Sequence, residues 1–370
     1  MNAVSKATNL LAKLGIAVPI IQAPMAVWAT PALAAAVSNA GALGSIGLGP
    51  MTVDSARALI RETRSLTDRP FNVNVFCHVP PGVDLEREAR WLAYLKPHFA
   101  RYGARPPTTF GRGFASFLDD DAMLAMLLQE RPGVVSFHFG LPAPAKIAAL
   151  HDAGIVLMAT ATSLDEAERI AAAGIDAVVA QGVEAGGHRG VFDPGSSDEG
   201  LGTMPLVRLL VRETPVPVIA AGGIMDGAGI AAALALGAQA AQLGTAFLTT
   251  FESAADSADR AALLSPQSRT TFTNVISGRP ARAIENQFTK LGQDPGCPPV
   301  PDFPLAFVAG KALDAAAQAH GTCEFAARWA GQGVRLSRAM PAADLVATLV
   351  RETVDAVKSL SVNLASLPHS

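Results

Sequence analysis

Short apolar runs recur along the chain, and a stretch of helical spacing follows most of them. The runs are VPIIQ (18–22), ALGSIG (42–47), FNVNVF (71–76), VVSFHF (134–139), IVLMATA (155–161), AVVAQG (177–182), VPVIAAG (216–222) and AAQLGTAF (240–247). Continuous rather than alternating hydrophobicity predicts strands covered on both faces, as in a parallel sheet. The intervening helices carry their own punctuation. Thr30 and Pro31 open one that runs toward Ala40, with Thr30 as N-cap and Pro31 in the first position. Ser163 and Glu166 have the spacing of a capping box for a helix over 164–173. Gly41, Gly154, Gly174 and Gly237 fall where helices stop.

Most strand starts lie 21 to 27 residues apart, the length of one βα unit. Eight such units predict a (β/α)8 TIM barrel, with a doubly wound open sheet as the alternative. Two intervals, of 63 and 40 residues, are longer. The first holds a helical excursion and a Pro/Gly-rich turn at 103–113, and the second begins QGVEAGGHRGVFDPGSSDEGLG. Loops of that length in a compact domain are usually functional or disordered. After the eighth strand, residues 251–339 mix helical stretches with loops such as LGQDPGCPPVPDFP (291–304). DLVATLVRETVDAVKSL (344–360) then supplies the last barrel helix. The expected organisation is a barrel of residues 1–250 and 340–370, with a helical insert, 251–339, between strand 8 and the last helix and over the barrel mouth.

Composition narrows the function classes. The chain has 370 residues, a net charge of -3, half its residues hydrophobic and 16% charged. That supports a large core without staples, and the charge balance speaks against a nucleic-acid partner. Cys77, Cys297 and Cys323 are far apart and form no CxxC pair, so neither a structural metal site nor a disulfide framework is expected. Sparse cysteines suit a reducing cytoplasm. Lys13 and Pro19 break the apolar N-terminal run, which therefore does not read as a signal peptide. No run reaches the ~18 apolar residues that suggest a membrane span.

The candidate chemistry gathers at strand ends. IAAGGI (219–224) closes the seventh strand and QLGT (242–245) the eighth. A phosphate needs close backbone N–H groups, which Gly222, Gly223 and Gly244 permit, and the loops after strands seven and eight are where barrels commonly hold one. QGVEAGGHRG (181–190) follows the sixth strand and offers Gln181, the pair Gly186 and Gly187, and His188 at a loop tip. An imidazole titrates near pH 6.5, which suits proton abstraction around neutrality. His138 ends the fourth strand. Ala23, Pro24 and Met25 end the first, where backbone groups could meet the edge of a flat heterocycle, or Pro24 could simply form a turn. Asn74, at the end of the third, could do the same with its amide, or cap the strand. All these lie on the C-terminal rim, where barrel active sites are found.

IQAPMA, PFNVNVF, VVSFHFG, QGVEAGGHRG, IAAGGI, QLGTAFL, SGRPAR (277–282) and WAGQ (329–332) occur in that order. Together they resemble the nitronate monooxygenase family, formerly called 2-nitropropane dioxygenases, over nearly the whole chain. The resemblance implies FMN held by Ala23, Pro24, Met25, Asn74, Gln181, Gly186, Gly187, Gly222, Gly223, Gln242, Gly244 and Thr245. It implies His188 as the catalytic histidine, His138 as its companion, and Lys311 as a lysine facing the flavin from the helical segment. Phe303 and Phe307 stand eight and four residues before Lys311, where such proteins often carry tyrosines.

The implied reaction is oxidation of alkyl nitronates, such as propionate 3-nitronate, with O₂ to carbonyl compounds and nitrite. His188 would take the α-proton of a neutral nitroalkane or hold the nitronate. His138 and Lys311 would supply positive charge to a small anionic substrate. Two other readings stay open at this level: an NAD(P)H-dependent flavin reductase of quinones or enoyl thioesters on the same scaffold, and a phosphate- or flavin-holding protein without catalysis.

Overall fold

All eight apolar runs form strands of one parallel sheet in the computed structural model, which describes residues 10–111 and 113–365. The strands are β1 (Ile20–Gln22), β2 (Gly44–Gly47), β3 (Phe71–Phe76), β4 (Val134–His138), β5 (Val156–Ala161), β6 (Ala177–Gln181) and, after a two-residue strand β7 (Gly187–His188) that belongs elsewhere, β8 (Val218–Ala221) and β9 (Ala240–Leu243). The ends of the expected barrel segments (1–9 and 366–370) and position 112 of the 103–113 turn lie outside the described residues.

Around the sheet the order is β2-β3-β4-β5-β6-β8-β9-β1. The seam between β1 and β2 is closed by two hydrogen bonds: Leu43 N donates to Ile20 O at 3.0 Å, and Gln22 N donates to Leu43 O at 2.9 Å. The sheet is therefore a barrel, not an open doubly wound array. Its outer layer of contacts packs strand residues such as Val73, Val135, Leu157 and Val178 against helix residues Leu33, Ile60, Leu127, Ile170, Leu206 and Ile230. Each such side chain contributes roughly 1.5–3 kcal/mol by leaving water. Leu10, Leu14 and Ile16 plug the N-terminal end against Ile21, Leu43, Met158 and Ile219, so only the C-terminal end can open to a ligand.

The helix punctuation acts as expected at most positions. Thr30 Oγ1 accepts from Leu33 N at 3.0 Å and caps Pro31–Asn39. Gly41, Gly154, Gly174 and Gly237 take φ between +78° and +100° at helix stops. The capping box is only half formed. Ser163 Oγ accepts from Glu166 N, but the Glu166 carboxylate accepts from Thr162 N and Oγ1 and from Phe192 N instead of returning to Ser163. Glu166 thereby ties the long loop after β6 to the end of β5.

Residues 251–339 contain the helices Ser257–Leu264, Gln287–Leu291 and Leu305–Gln318. They also hold an antiparallel pair, β10 (Thr270–Thr273) and β11 (Ala281–Ile284), and β11 pairs with β7 through Ala281↔His188 and Arg282↔Gly187. This segment shares a second core with the helix Leu85–Ala100 from the 63-residue excursion: Trp91, Leu95 and Phe99 pack with Phe288, Leu305 and Phe325. The two long insertions thus form one hood. The last helix, Ala342–Ala365, lies against Gly227–Ala235, where a Cβ on Gly227 would come 2.2 Å from Thr353 N. No helix among the described residues is long and apolar enough to cross a membrane.

Candidate active site

One cavity of about 450 Å³ opens at the C-terminal rim, and every candidate site residue lines it: Ala23, Pro24, Met25, Asn74, His138, Gln181, Gly186, Gly187, His188, Gly222, Gly223, Gln242, Gly244, Thr245 and Lys311. The strands bring the first fourteen there. Lys311 comes from the helix Leu305–Gln318 of the hood.

At one end, Gly222 and Gly223 turn the chain out of β8 with φ of +117° and +70°, a region that other residues enter only with strain. Thr245 Oγ1 accepts from Gly331 N at 2.9 Å, which leaves the hydroxyl hydrogen free for an acceptor in the cavity. Gly186 and Gly331 back directly onto each other, and a Cβ on Gly186 would meet Gly331 N at 2.4 Å. The WAGQ segment therefore seats on the loop after β6. Glu184 fixes that loop further. Its carboxylate accepts from Thr203 N and Oγ1, and its carbonyl accepts from Gln332 N at 2.9 Å.

Toward the centre the amides differ in what they have left to offer. Gln181 Oε1 accepts from Gly190 N at 2.8 Å and its Nε2 donates to His188 O at 3.0 Å, so it chiefly shapes the loop. Asn74, inside β3, donates from Nδ2 to Ser136 O and Oγ and leaves Oδ1 as an acceptor. The Gln242 amide makes no hydrogen bond among the described residues.

The long loop after β6 is ordered by buried cations. Arg189 is almost fully buried; it holds Asp198 at 2.7 and 2.9 Å and also donates to the carbonyl of Gln181. Arg279, also buried, donates to Val191 O and Phe192 O at 3.0 and 3.2 Å and lies 4.4 Å from the centre of the Phe139 ring.

His188 is not at a loop tip. It sits in β7, paired to the hood, with its ring 5.6 Å from Phe139, 5.3 Å from Phe303 and 5.0 Å from Trp329. Nε2 is 2.8 Å from Ser277 Oγ, and Nδ1 has no partner among the described residues. Burial, His138 and Arg279 push its pKa down to about 3. His138 has both ring nitrogens engaged. Nε2 must donate to His188 O, 3.2 Å away, because a carbonyl only accepts, and Thr160 Oγ1 then donates to Nδ1 at 3.1 Å. Burial foremost, with Arg279, lowers its pKa to about 4. Both imidazoles are neutral near pH 7, so neither supplies the positive charge expected of His138. The basic side chains on the cavity lining are Lys311, whose Nζ lies 5.4 Å from the Phe307 ring centre, and Arg328, which is paired with Asp259 at 2.8 Å.

Phe76, Phe114, Phe303 and Phe307 give the cavity wall its apolar face. Behind it stands His78, 1% exposed, with neither ring nitrogen hydrogen-bonded and its ring edge-on to Phe303 at 5.0 Å. Burial, then Arg279, lowers its pKa to about 4. Nothing in the sequence marks Ser277, Arg279, Thr160 or His78 as parts of the site. Ser277 and Arg279 lay inside the SGRPAR string, but single polar residues between apolar neighbours carry no mark of what they face. Among the described residues, no group of three or more His, Cys, Asp or Glu side chains is placed to hold a metal ion.

The family model for nitronate monooxygenase matches residues 7–352. A nitronate monooxygenase of Paraburkholderia phytofirmans is 59% identical over 95% of this chain and 96% of its own length. One from Pseudomonas aeruginosa is 55% identical over 92% and 97%. Among solved structures, the nitroalkane oxidase from Streptomyces ansochromogenes superposes with a TM-score of 0.87 at 41% identity, covering 96% of this chain and 99% of that one. FabK from Thermotoga maritima is more distant, with a TM-score of 0.71 at 29% identity over 95% and 98%. The chain belongs to the nitronate monooxygenase family, whose members are flavoenzymes of the oxidoreductase class.

Proposed function

We propose that the protein binds FMN in this cavity and oxidises small anionic alkyl nitronates with O₂ to carbonyl compounds and nitrite. The observation that carries the reading is the position of His188: a neutral imidazole on the cavity wall, at the same rim as the glycine turns of β8 and β9. The barrel, 1–250 and 340–370, is the flavin-binding part in this proposal, and 251–339 covers it. Three unpaired cysteines suit a cytoplasmic protein.

The residues fit FMN. Gly222, Gly223, Gly244 and Thr245 would take the phosphate with backbone and hydroxyl donors. Ala23–Met25, Asn74 Oδ1 and the free amide of Gln242 would meet the polar edge of the ring. Gln181, Gly186 and Gly187 would shape the wall beside it. Bound there, FMN supplies the electron-accepting chemistry. The protein supplies the rest. His188 accepts the α-proton of a neutral nitroalkane at its free nitrogen, or packs beside the nitronate when that is the substrate. Lys311 draws the anion in, and the phenyl wall excludes water and accommodates the alkyl part. The His138 imidazole holds the main chain of His188 in place.

The test is anaerobic reduction of the purified yellow protein. Bleaching by propionate 3-nitronate but not by NADH, with nitrite formed on admitting O₂, is the expected result. Rapid bleaching by NADH, with no response to nitronate, would replace this reading with the flavin reductase. That alternative is less favoured, because relatives 55–59% identical are named nitronate monooxygenase while FabK stands at 29%.

A further inference from the structure

We infer that Ser277 positions the imidazole of His188 and fixes its tautomer, so that Nε2 carries the proton and Nδ1 is the lone pair available in the cavity. The kinetic part of this inference rests on His188 being the base proposed above; the tautomer itself does not.

Ser277 lies in the tight turn between β10 and β11 and is 1% exposed. Gly278 N donates to Asn274 O at 2.7 Å, and a Cβ on Gly278 would come 2.3 Å from Pro301 O, so the turn has little room to shift. Ser277 Oγ has two neighbours: His188 Nε2 at 2.8 Å and the Arg279 carbonyl oxygen at 3.4 Å. A serine hydroxyl owns one hydrogen, and a carbonyl can only accept. If the hydrogen goes to Arg279 O, an Oγ lone pair is left to receive Nε2–H of His188, and all three groups are satisfied. If it goes to Nε2 instead, the Ser277 and Arg279 oxygens face each other with lone pairs only. The site is buried, where an unmet polar group costs about 1–3 kcal/mol, so the first arrangement prevails.

The rest of His188 is already held. Its strand pairs with β11, and its carbonyl accepts from both Gln181 and His138. The ring is walled by Phe139, Phe303 and Trp329. What those apolar walls cannot decide is which way round the ring lies, since flipping it by a half turn exchanges nitrogen for carbon at nearly constant shape. The hydrogen bond to Ser277 decides it, because the flipped ring would set a carbon against Oγ. One hydroxyl therefore chooses both the ring orientation and the proton's place, the task that the third member performs in nucleophile–base–orienter arrangements.

The experiment is ¹⁵N NMR of the imidazole nitrogens in protein labelled at histidine, with His188 assigned by its loss in His188→Asn. Wild type is expected to show His188 with a protonated Nε2 and an unprotonated Nδ1 at neutral pH. Ser277→Ala should mix the two tautomers, and Ser277→Thr, which keeps the hydroxyl, should restore the wild-type pattern. In turnover, Ser277→Ala should lose about 10–100-fold in kcat with KM within about twofold, since misplacing a reacting group costs up to roughly 10². A protonated Nδ1 in wild type, or an unchanged His188 spectrum in Ser277→Ala, overturns the inference. If wild type turns over no nitronate yet shows the expected tautomer, the proposed function fails and this assignment stands. Should Ser277→Ala not fold, the wild-type and Ser277→Thr spectra still decide it.

Discussion

The ring of His138 is joined to the main chain of His188, not to its ring: Nε2 of the first donates to the carbonyl of the second at 3.2 Å. With Thr160 on its other nitrogen, His138 has no site left for substrate protons. The two histidines should therefore separate by mutation. His188→Asn is expected to lower nitroalkane turnover by roughly 10²-fold, the low end of a general base's contribution because burial weakens this imidazole as a base, with FMN still bound. His138→Ala should lose less, chiefly through a disordered β7. Equal losses measured side by side would give His138 a direct chemical role.

Lys311 is the cavity-lining cation with no carboxylate partner among the described residues, since Arg328 is paired with Asp259. Lys311→Met should raise KM for an anionic nitronate about tenfold, equivalent to ~1.4 kcal/mol, with kcat little changed. The wild-type KM should rise with ionic strength and that of the variant should not. A salt-independent wild-type KM would show that the substrate anion is bound by something else.

Gly223 takes φ +70°, and a Cβ there would meet Glu184 Cβ at 3.2 Å. Gly223→Ala should weaken FMN binding by 10–100-fold, in line with about 1–3 kcal/mol of backbone strain. Fluorescence titration of flavin into the apoprotein reads this directly, and an unchanged Kd would move the phosphate away from the β8 turn.

Arg189 and Asp198 carry a prediction about stability. Arg189→Leu removes the donors of two buried carbonyls, those of Gln181 and Thr162, and leaves Asp198 without its partner, whose guanidinium holds that carboxylate below its usual pKa. Asp198 is exposed and water can take over its carboxylate, so the cost comes from the two buried carbonyls left unmet, about 1–3 kcal/mol each. Urea unfolding should show a loss of that order, and a loss under ~1 kcal/mol would mean the loop is held by its other ties.

His78 should make the fold acid-sensitive. In the unfolded chain an imidazole takes up its proton near pH 6.5, while in the folded protein His78 does so only at about 4. Between those values the unfolded chain binds more protons, so stability falls as pH drops through that window and falls no further below it. The loss is on the order of 3 kcal/mol. His138 and His188 add losses of the same sign. His78→Leu should flatten the decline between pH 6.5 and 4, and an unaltered pH profile of Tm would remove His78 from the account.

Much of this was legible from the residues in order. Eight continuous apolar runs at βα spacing dictate a parallel barrel, because each strand must be covered on both faces and each helix carries its own caps. The glycine turns, His138 and His188 follow, since the barrel delivers every strand end to one rim. The hood was harder. β10 and β11 are short, and β10, TTFT, has no apolar alternation. The pairing of β11 with β7 joins residues about 95 apart in sequence, a partnership no local pattern encodes. Ser277 and Arg279 gain their places beside His188 only through that pairing.

That same pairing has a mechanical consequence. Because β11 pairs with β7, the cover and the residue proposed as the base are joined through the main chain. Lifting the roof would pull His188 from its lodging, so if His188 is the base the cavity cannot be both ajar and armed. In the proposed reaction, any loosening of the roof would therefore extinguish turnover rather than hasten it.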